Sequence, residues 1–373
     1  MTTQILIILG VMVAAYVAAK AAKLPVELGI FAAAAAGGLA GAFAATPPLG
    51  ELGRHLVEGS ITYLDVMLVF FTATLFMTIV DRSGGVVYVV RATLRVFGRR
   101  RVPALLALMV IVLIPGALTG AGSVSLLVVG APVAMALGRL GIGPKRVAAI
   151  LFIVAGLSAA APPVNIWAMI LCAGTAIPYV GFEFTLGLPV LLLGTFTMLA
   201  LGLKKEPGAA AGPAELPEPP PGMTWWRVAL PFLVFFGLVA AYRIWPFATP
   251  IFGLALEFVA AAAAALFLSP RRIDVLPLAR DTVKRLLPLL ATTVVVGMLQ
   301  QIMTATGVRG LLSFAAISTP LVVLFFLLPV IIPFSEGVLT YGAAAILGIP
   351  LIWLLDSMGY HATVVIAGLS LLW

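Results

Sequence analysis

The chain has 373 residues, of which 62% are hydrophobic and only 10% are charged. Soluble domains carry about 25% charged residues, so this composition excludes an ordinary soluble fold and predicts an all-α polytopic membrane protein. The net charge of +8 does not indicate nucleic acid binding, because basic residues of a membrane protein first report which side of the bilayer a loop occupies.

The first half of the chain begins with three apolar stretches at 3–19, 25–45 and 60–80. Each is long enough for a membrane span, which takes about 20 residues. No basic region precedes the first stretch and no clear cleavage site follows it, so we predict a retained span instead of a signal peptide. The basic segment from Leu94 to Arg101 is predicted to lie as a helix on the membrane surface.

Residues 103–137 form an apolar stretch that is long enough for two half-membrane helices meeting at a tip. The tip, residues 119–125, contains three hydroxyls and two glycines. Such a backbone can offer carbonyls to a hard cation and, at a half-helix N-terminus, N–H groups to an anion. A small-residue packing face between helices is the alternative. Four tip residues are predicted to bind substrate: Thr119, Gly122, Ser123 and Ser125.

Residues 147–178 form a second interrupted stretch, which Pro162-Pro163 breaks because proline removes a backbone donor and clashes with the preceding turn. We therefore predict unwound backbone from Ser158 to Asn165. Such backbone survives at membrane depth only inside protein or beside a water-filled cavity. Asn165 is predicted to contact substrate, with a simple kink and a bond to a neighbouring helix as the alternative.

Residues 204–223 are a proline-rich linker between a first membrane repeat, 1–203, and a second, 224–373. The first repeat closes with a predicted span at 184–203. The second opens with predicted spans at 224–244, 248–268 and 286–305.

The stretch 320–355 is interrupted like 103–137, and it contains an acidic residue, Glu336. An acid inside an apolar membrane segment is costly and marks a functional site by default. Glu336 can ligate a cation or carry a proton, and the alternative is a carboxylate in interfacial water or paired with a distant base. We predict that Glu336 and Thr340 bind substrate.

The two interrupted stretches are copies of one another, because residues recur 218 positions apart. The recurring pairs are Pro115 with Pro333, Pro132 with Pro350, and Gly141 with Gly359. A small-residue turn precedes each copy, at 83–86 and at 305–308. Broken helices at corresponding positions of two halves point to the binding site of a secondary transporter.

The basic residues indicate a topology. If both interrupted stretches return to the side they entered, nineteen of the 22 Lys and Arg residues face one side. Only Arg54, Arg243 and Arg309 face the other. The basic side is cytoplasmic, so the N-terminus is predicted outside and the two copies are inverted. Such repeats place substrate and coupling ion near the midplane. Arg309 is the nearest cationic candidate, with a surface position as the alternative.

This pattern resembles the large membrane subunit of tripartite ATP-independent periplasmic (TRAP) transporters, within the ion transporter superfamily. The resemblance covers most of the chain. Its motifs are the turn Ser83-Gly84-Gly85, the tip Thr119-Gly120, Gly130, Gly141-Ile142, Pro162-Pro163-Val164, Ser335-Glu336-Gly337 and Gly359-Tyr360.

The resemblance implies an elevator-type, sodium-coupled importer of organic anions, usually carboxylates, in the inner membrane of a bacterium or archaeon. It also implies a small four-helix membrane subunit and a soluble extracytoplasmic substrate-binding protein as partners. The implied sodium sites use mainly backbone carbonyls, at Gly120, Ala121, Gly122, Ser123, Ser158, Pro162, Glu336 and Gly337. Family serines are replaced by Thr119, Ala121 and Val164, so carbonyl ligation is expected there and side-chain ligation is in doubt.

The offset also predicts a second proline pair at about position 380, beyond Trp373, which favours a fragment of a longer transporter, with a loss of the final helices as the alternative. Two other functions stay open: a stand-alone ion-coupled organic-anion symporter of the same superfamily, and a non-transporting membrane scaffold. An enzyme is not predicted, because the sequence contains no Gly-x-x-x-x-Gly-Lys motif and no Cys/His cluster.

Overall fold

The computed structural model describes residues 2–44, 47–204, 216–245, 247–250, 252–339 and 341–372. The structure is 82% helical, and no strand occurs among these residues. Eight of the described helical segments, of 18 to 34 residues, are long and apolar enough to cross a membrane. The chain is therefore a polytopic, all-helical membrane protein, as its composition predicts.

Eleven helices and one π-helical turn precede the linker. They are α1 (Thr2–Ala21), α2 (Val26–Phe43), α3 (Leu49–Ile61), α4 (Leu64–Arg82), α5 (Gly85–Phe97), α6 (Arg101–Thr119), α7 (Gly122–Ser125), the π turn Leu126–Gly130, α8 (Ala131–Arg139), α9 (Pro144–Ala160), α10 (Ile166–Thr175) and α11 (Phe182–Gly202). The predicted surface helix from Leu94 to Arg101 is not one helix: residues 94–97 end α5, residues 98–100 form a turn, and Arg101 begins α6. α5 itself begins at Gly85. It starts immediately after Gly84, which has the left-handed φ of 85° that glycine accepts readily.

Seven helices and a second π turn are described after the linker. They are α12 (Trp225–Ile244), α13 (Gly253–Leu268), α14 (Val275–Ala305), α15 (Val308–Ser318), α16 (Leu321–Leu339), the π turn Ala344–Gly348, α17 (Ile349–Ser357) and α18 (Ala362–Leu372). The predicted span 286–305 is the second part of α14, whose 31 residues begin at Val275. Of the predicted linker, residues 205–215 lie outside the described part of the chain.

The repeat of 218 positions is present in the backbone as well as in the sequence. Both ends of the first π turn and of α8 have counterparts 218 residues later, in the second π turn and α17. The turn after each helix is also the same, because the N–H of Gly141 bonds the carbonyl of Gly138 at 2.8 Å and the N–H of Gly359 bonds that of Asp356 at 2.9 Å. Both turn glycines are left-handed, with φ of 79° and 89°.

The helices form two compact units. The first unit comprises Met1–Met67, Trp167–Thr185 and Leu286–Trp373, and the second comprises Leu68–Ile166 and Leu186–Arg285. Each unit thus takes segments from both sides of the linker. In the first unit α1 packs along α2 and α15, and in the second α6 packs along α9 while α12 packs along α13.

The core of the second unit contains an aromatic cluster. The rings of Phe235 and Phe258 stack with their centroids 4.3 Å apart. Phe76 meets Phe232 edge-on at 5.2 Å. Offset and edge-to-face ring pairs of this kind stabilise apolar cores beyond the area that they bury, so α4, α12 and α13 form a fixed support for the elements that carry the first copy.

Candidate functional site

The first copy is interrupted after Thr119, where α6 ends and only Gly120 and Ala121 precede α7. Gly120 is left-handed, with a φ of 68°, and its N–H bonds the carbonyl of Gly116 at 2.6 Å. A Cβ atom on Gly120 would lie 2.6 Å from the Ile166 side chain. Both the backbone angle and the available space therefore require glycine at this break.

The hydroxyl of Ser125 bonds the backbone of α6 at two points. It accepts from the N–H of Gly116 at 2.8 Å and donates to the carbonyl of Val112 at 2.6 Å. These two groups are four residues apart, so they would bond each other in a regular helix. Pro115 lies one residue before Gly116, and proline removes a backbone donor from a helix. Ser125 thus ties α6 to the segment after the break.

Small residues bring the first copy close to α9. The hydroxyl oxygens of Ser125 and Ser158 are 3.2 Å apart, and Ser158 donates to the carbonyl of Ala155 at 2.6 Å. A Cβ atom on Gly122 would lie 2.3 Å from that same carbonyl oxygen, and one on Gly116 would lie 1.9 Å from the Ser158 hydroxyl. Glycine at these two positions is therefore a condition of the packing.

The helix that follows is interrupted at the proline pair, where the sequence predicts a break. α9 ends at Ala160, and Ala161 is extended with φ −74° and ψ 144°. The N–H of Val164 bonds the carbonyl of Ala117 at 2.9 Å, which ties the unwound segment to α6. The side-chain amide of Asn165 donates to the carbonyl of Ala160 at 3.1 Å. The non-helical residues are therefore 161–165, and Ser158 lies in the last turns of α9.

The predicted site residues of the second unit differ in exposure. Four of their side chains are fully buried, those of Thr119, Ser125, Ser158 and Asn165, whereas Ser123 is exposed and Pro162 is half-buried. Thr119 donates its hydroxyl to the carbonyl of Pro115 at 2.7 Å. The hydroxyl hydrogens of Thr119, Ser125 and Ser158 all bond backbone carbonyls, so these side chains can offer a ligand only oxygen lone pairs.

In the second copy, Glu336 lies one turn inside α16 and not at the interruption, because the helix continues to Leu339. Its carboxylate accepts from the indole N–H of Trp167 on α10 at 3.4 Å. The rings of Trp167 and Tyr341 are 5.3 Å apart. The half-buried carboxylate is therefore held beside two aromatic rings of the first unit. Gly337 lies in the last turn of α16, and Thr340 lies outside the described residues.

Arg309, at the start of α15, is half-buried in the first unit. One guanidinium nitrogen donates to the carbonyl of Gly174 at 3.2 Å, in the last turn of α10. A Cβ atom on Gly174 would lie 3.2 Å from the amide nitrogen of Gln300, whose side-chain oxygen accepts a hydrogen bond from Tyr63. Within the described residues, no carboxylate lies at ion-pair distance from Arg309.

α10 contacts both Glu336 and Arg309. Trp167 and Gly174 are seven residues apart, which places them on one face of the helix about 10 Å from each other. One touches Glu336 and the other Arg309. Sequence reasoning named both charged residues but missed Tyr63 and Gln300, since neither lies near a repeated motif.

Where the chain is described, no group of three or more His, Cys, Asp or Glu side chains is arranged to hold a metal ion. A bound sodium ion would therefore take its oxygen ligands mainly from backbone carbonyls and hydroxyls, which hard cations accept. At the interruptions at 120–121 and 161–165 part of these groups is already engaged. The carbonyls of Gly116 and Ala117 accept from the N–H groups of Gly120 and Val164. Those of Ser158 and Ala160 accept from the N–H of Ala161 and the side chain of Asn165, so only the remaining helix-end carbonyls are candidates.

Comparison of the chain with protein-family models and with curated proteins finds no match in either.

Proposed function

We propose that this chain is the large membrane subunit of a sodium-coupled importer of a small organic anion, a carboxylate, similar to the TRAP transporters. The observation that carries the proposal is the interrupted helix that recurs 218 residues later with the same π turn and the same final turn. Duplicated broken helices in apolar sequence are a feature of secondary transporters, in which they form the substrate and ion sites.

In this proposal the two copies are re-entrant hairpins of inverted orientation, and the protein works as an elevator. Sodium binds carbonyls at Gly120, Ala121 and Ser123, with Ser158 and Pro162 from the next interruption. The carboxylate of Glu336 supplies negative charge for a second cation, together with the carbonyl of Gly337. Sodium must bind one state more tightly than the other, because a ligand with equal affinity for both states shifts nothing.

The organic anion requires positive charge or N–H donors. Arg309 supports this part of the proposal, because its guanidinium is half-buried and has no carboxylate partner among the described residues. Cationic side chains in apolar membrane segments are rare and mark substrate pathways. A guanidinium can bind a carboxylate through two parallel hydrogen bonds. The side chains of Thr119, Ser125, Asn165 and Thr340 remain predicted substrate contacts.

The proposed setting is a bacterial or archaeal cytoplasmic membrane, with the N-terminus outside. The proposed partners are a small four-helix membrane subunit and an extracytoplasmic binding protein. A stand-alone symporter of the same superfamily is the second candidate, favoured if neither partner is encoded beside this chain. Both candidates share the same site.

The test is uptake of labelled succinate, as a carboxylate probe, into liposomes that contain the chain with its encoded partners. We expect an inward sodium gradient to drive uptake. Glu336→Gln should lower the rate at least tenfold, and Arg309→Lys should raise the KM severalfold, because lysine cannot reproduce the two-bond contact of arginine. Glu51→Gln and Arg54→Gln, on exposed positions of α3, are the matched controls.

Three results would overturn parts of the proposal. Uptake that ignores sodium but follows a proton gradient would make Glu336 a proton carrier. Unchanged uptake after both Glu336→Ala and Gly122→Leu would show that neither copy forms the site, and a chain without uptake of any carboxylate would favour the scaffold.

A further inference from the structure

The first unit contains a deep apolar groove beside α1. Its volume is about 390 Å³, and it is lined from α1, α2, α14, α15, the end of α16 and the second π turn. Five lining residues lie on α1: Leu9, Met12, Val13, Tyr16 and Val17. Met12 is buried, whereas Val13 and Val17 are more than half exposed. The groove therefore opens along the side of α1.

The lining of this groove offers too few hydrogen-bond partners for water to fill it. A water molecule takes about 30 Å³ of liquid and needs two to four polar partners in a cavity, so the space would hold about a dozen waters. The groove offers them almost no partners, since Tyr16 supplies the only polar side chain among the described residues that line it. In a membrane protein the natural occupant of such a space is an apolar chain.

Positive charge lies at one end of the groove. The lining positions on α1 advance by three and four residues, and the next position in this series is Lys20, which is exposed. Lys23 follows it and is exposed as well. The nearest acid along the sequence, Glu27, accepts a hydrogen bond from Thr292 on α14 at 3.3 Å, so it is engaged with that helix.

The backbone at Lys23 has a left-handed conformation that is unusual for lysine. α1 ends in a turn in which the N–H of Leu24 bonds the carbonyl of Ala19 at 3.0 Å and Lys23 is left-handed, with a φ of 58°. Glycine is the residue usually found at this position of a helix end. A lysine here therefore holds a backbone angle that is less favourable for it than for glycine.

We propose that the groove binds one acyl chain of an anionic phospholipid, whose phosphate contacts Lys20 and Lys23. The groove borders the second copy, since Leu339 and the second π turn line part of it, whereas Lys20 and Lys23 belong to neither copy. Basic residues at the end of a membrane helix attract anionic headgroups, and the groove fixes the chain that follows the phosphate.

The experiment is native mass spectrometry of the full chain in detergent, titrated with phosphatidylglycerol or phosphatidylcholine. We expect one phosphatidylglycerol to bind at least tenfold more tightly than phosphatidylcholine. Lys20→Gln with Lys23→Gly should abolish this preference, and Val13→Trp should weaken both lipids by filling the groove. Lys145→Gln, which changes an exposed lysine of the second unit, is the control.

Lys23→Gly separates the lipid role from a structural role. Glycine relieves the left-handed strain, so the variant should unfold at the same or a higher temperature while it loses phosphatidylglycerol preference. Equal binding of the two lipids by the unaltered chain, or a preference that survives the double substitution, would overturn the proposal. Equal binding of glycerol phosphate, which has no acyl chains, would also overturn it. So would lipid binding that Val13→Trp leaves unchanged, the result expected if a helix of another protein occupies the groove.

Discussion

The two copies of the interrupted segment share the π turn and the helix that follows it, but they differ in their surroundings. In the first copy, most of α6 is buried, including twelve of its 19 residues. In the second copy, most side chains of α16 are exposed, and Phe326 and Phe334 are 78% and 73% accessible. Similar local structure in such different environments shows that proline and glycine positions direct the path of the chain, while packing is set separately in each unit.

The polar groups of the copies differ as well. Ser125 bridges the N–H of Gly116 and the carbonyl of Val112. The positions 218 residues after Ser125 and Gly116 are Ala343 and Phe334, so the second copy cannot form this bridge. Conversely, Glu336 of the second copy corresponds to Leu118 of the first. At these positions the first copy carries a hydroxyl and a leucine, and the second carries an alanine and a carboxylate.

The largest effect on stability is expected from Gly122→Ala. The added Cβ would lie 2.3 Å from the carbonyl oxygen of Ala155, and a backbone group cannot rotate away as a side chain could. Overpacking of this kind costs about 3 kcal/mol. Thermal unfolding of the purified protein measures the loss. Gly156→Ala is the control, since no atom lies within 4 Å of that Cβ, and a similar loss in both variants would contradict the packing of α7 on α9.

A smaller loss is expected from Ser125→Ala, because it leaves the buried N–H of Gly116 and the carbonyl of Val112 without the hydroxyl between them. Buried groups deprived of a partner cost about 2 kcal/mol. The control is Ser357→Ala in the second copy, where the hydroxyl bonds only the carbonyl of Leu354 in its own helix. If denaturant unfolding gave equal losses for the two serines, the difference between the copies would not hold.

The smallest effects are expected at the turn that the copies share. Gly141→Ala and Gly359→Ala each place a Cβ atom on a left-handed residue, at a cost of about 1 kcal/mol. The two losses should be equal within error, because the backbone geometry is the same. An unfolding measurement that gave one variant more than twice the loss of the other would show that the surroundings, and not the turn, determine the energy.

Several features could be predicted from sequence because they depend on local chemistry. Pro162-Pro163 cannot continue a helix, and the break lies there. The interruption at residues 120–121 falls inside the predicted tip, where glycine permits a left-handed angle. Element ends were less predictable: Ser158 lies within α9 and Glu336 within α16, because helices continue past polar residues when their backbone bonds remain available.

By itself the sequence determined that the chain is a helical membrane protein with a duplicated interrupted segment, since hydrophobicity, proline and glycine act on the nearest few residues. Only the tertiary structure decided which distant groups meet. Ser125 reaches Ser158 across 33 residues, Glu336 reaches Trp167 across 169, and Arg309 reaches Gly174 across 135. Such contacts depend on how whole helices pack, and no local pattern in the sequence specifies them.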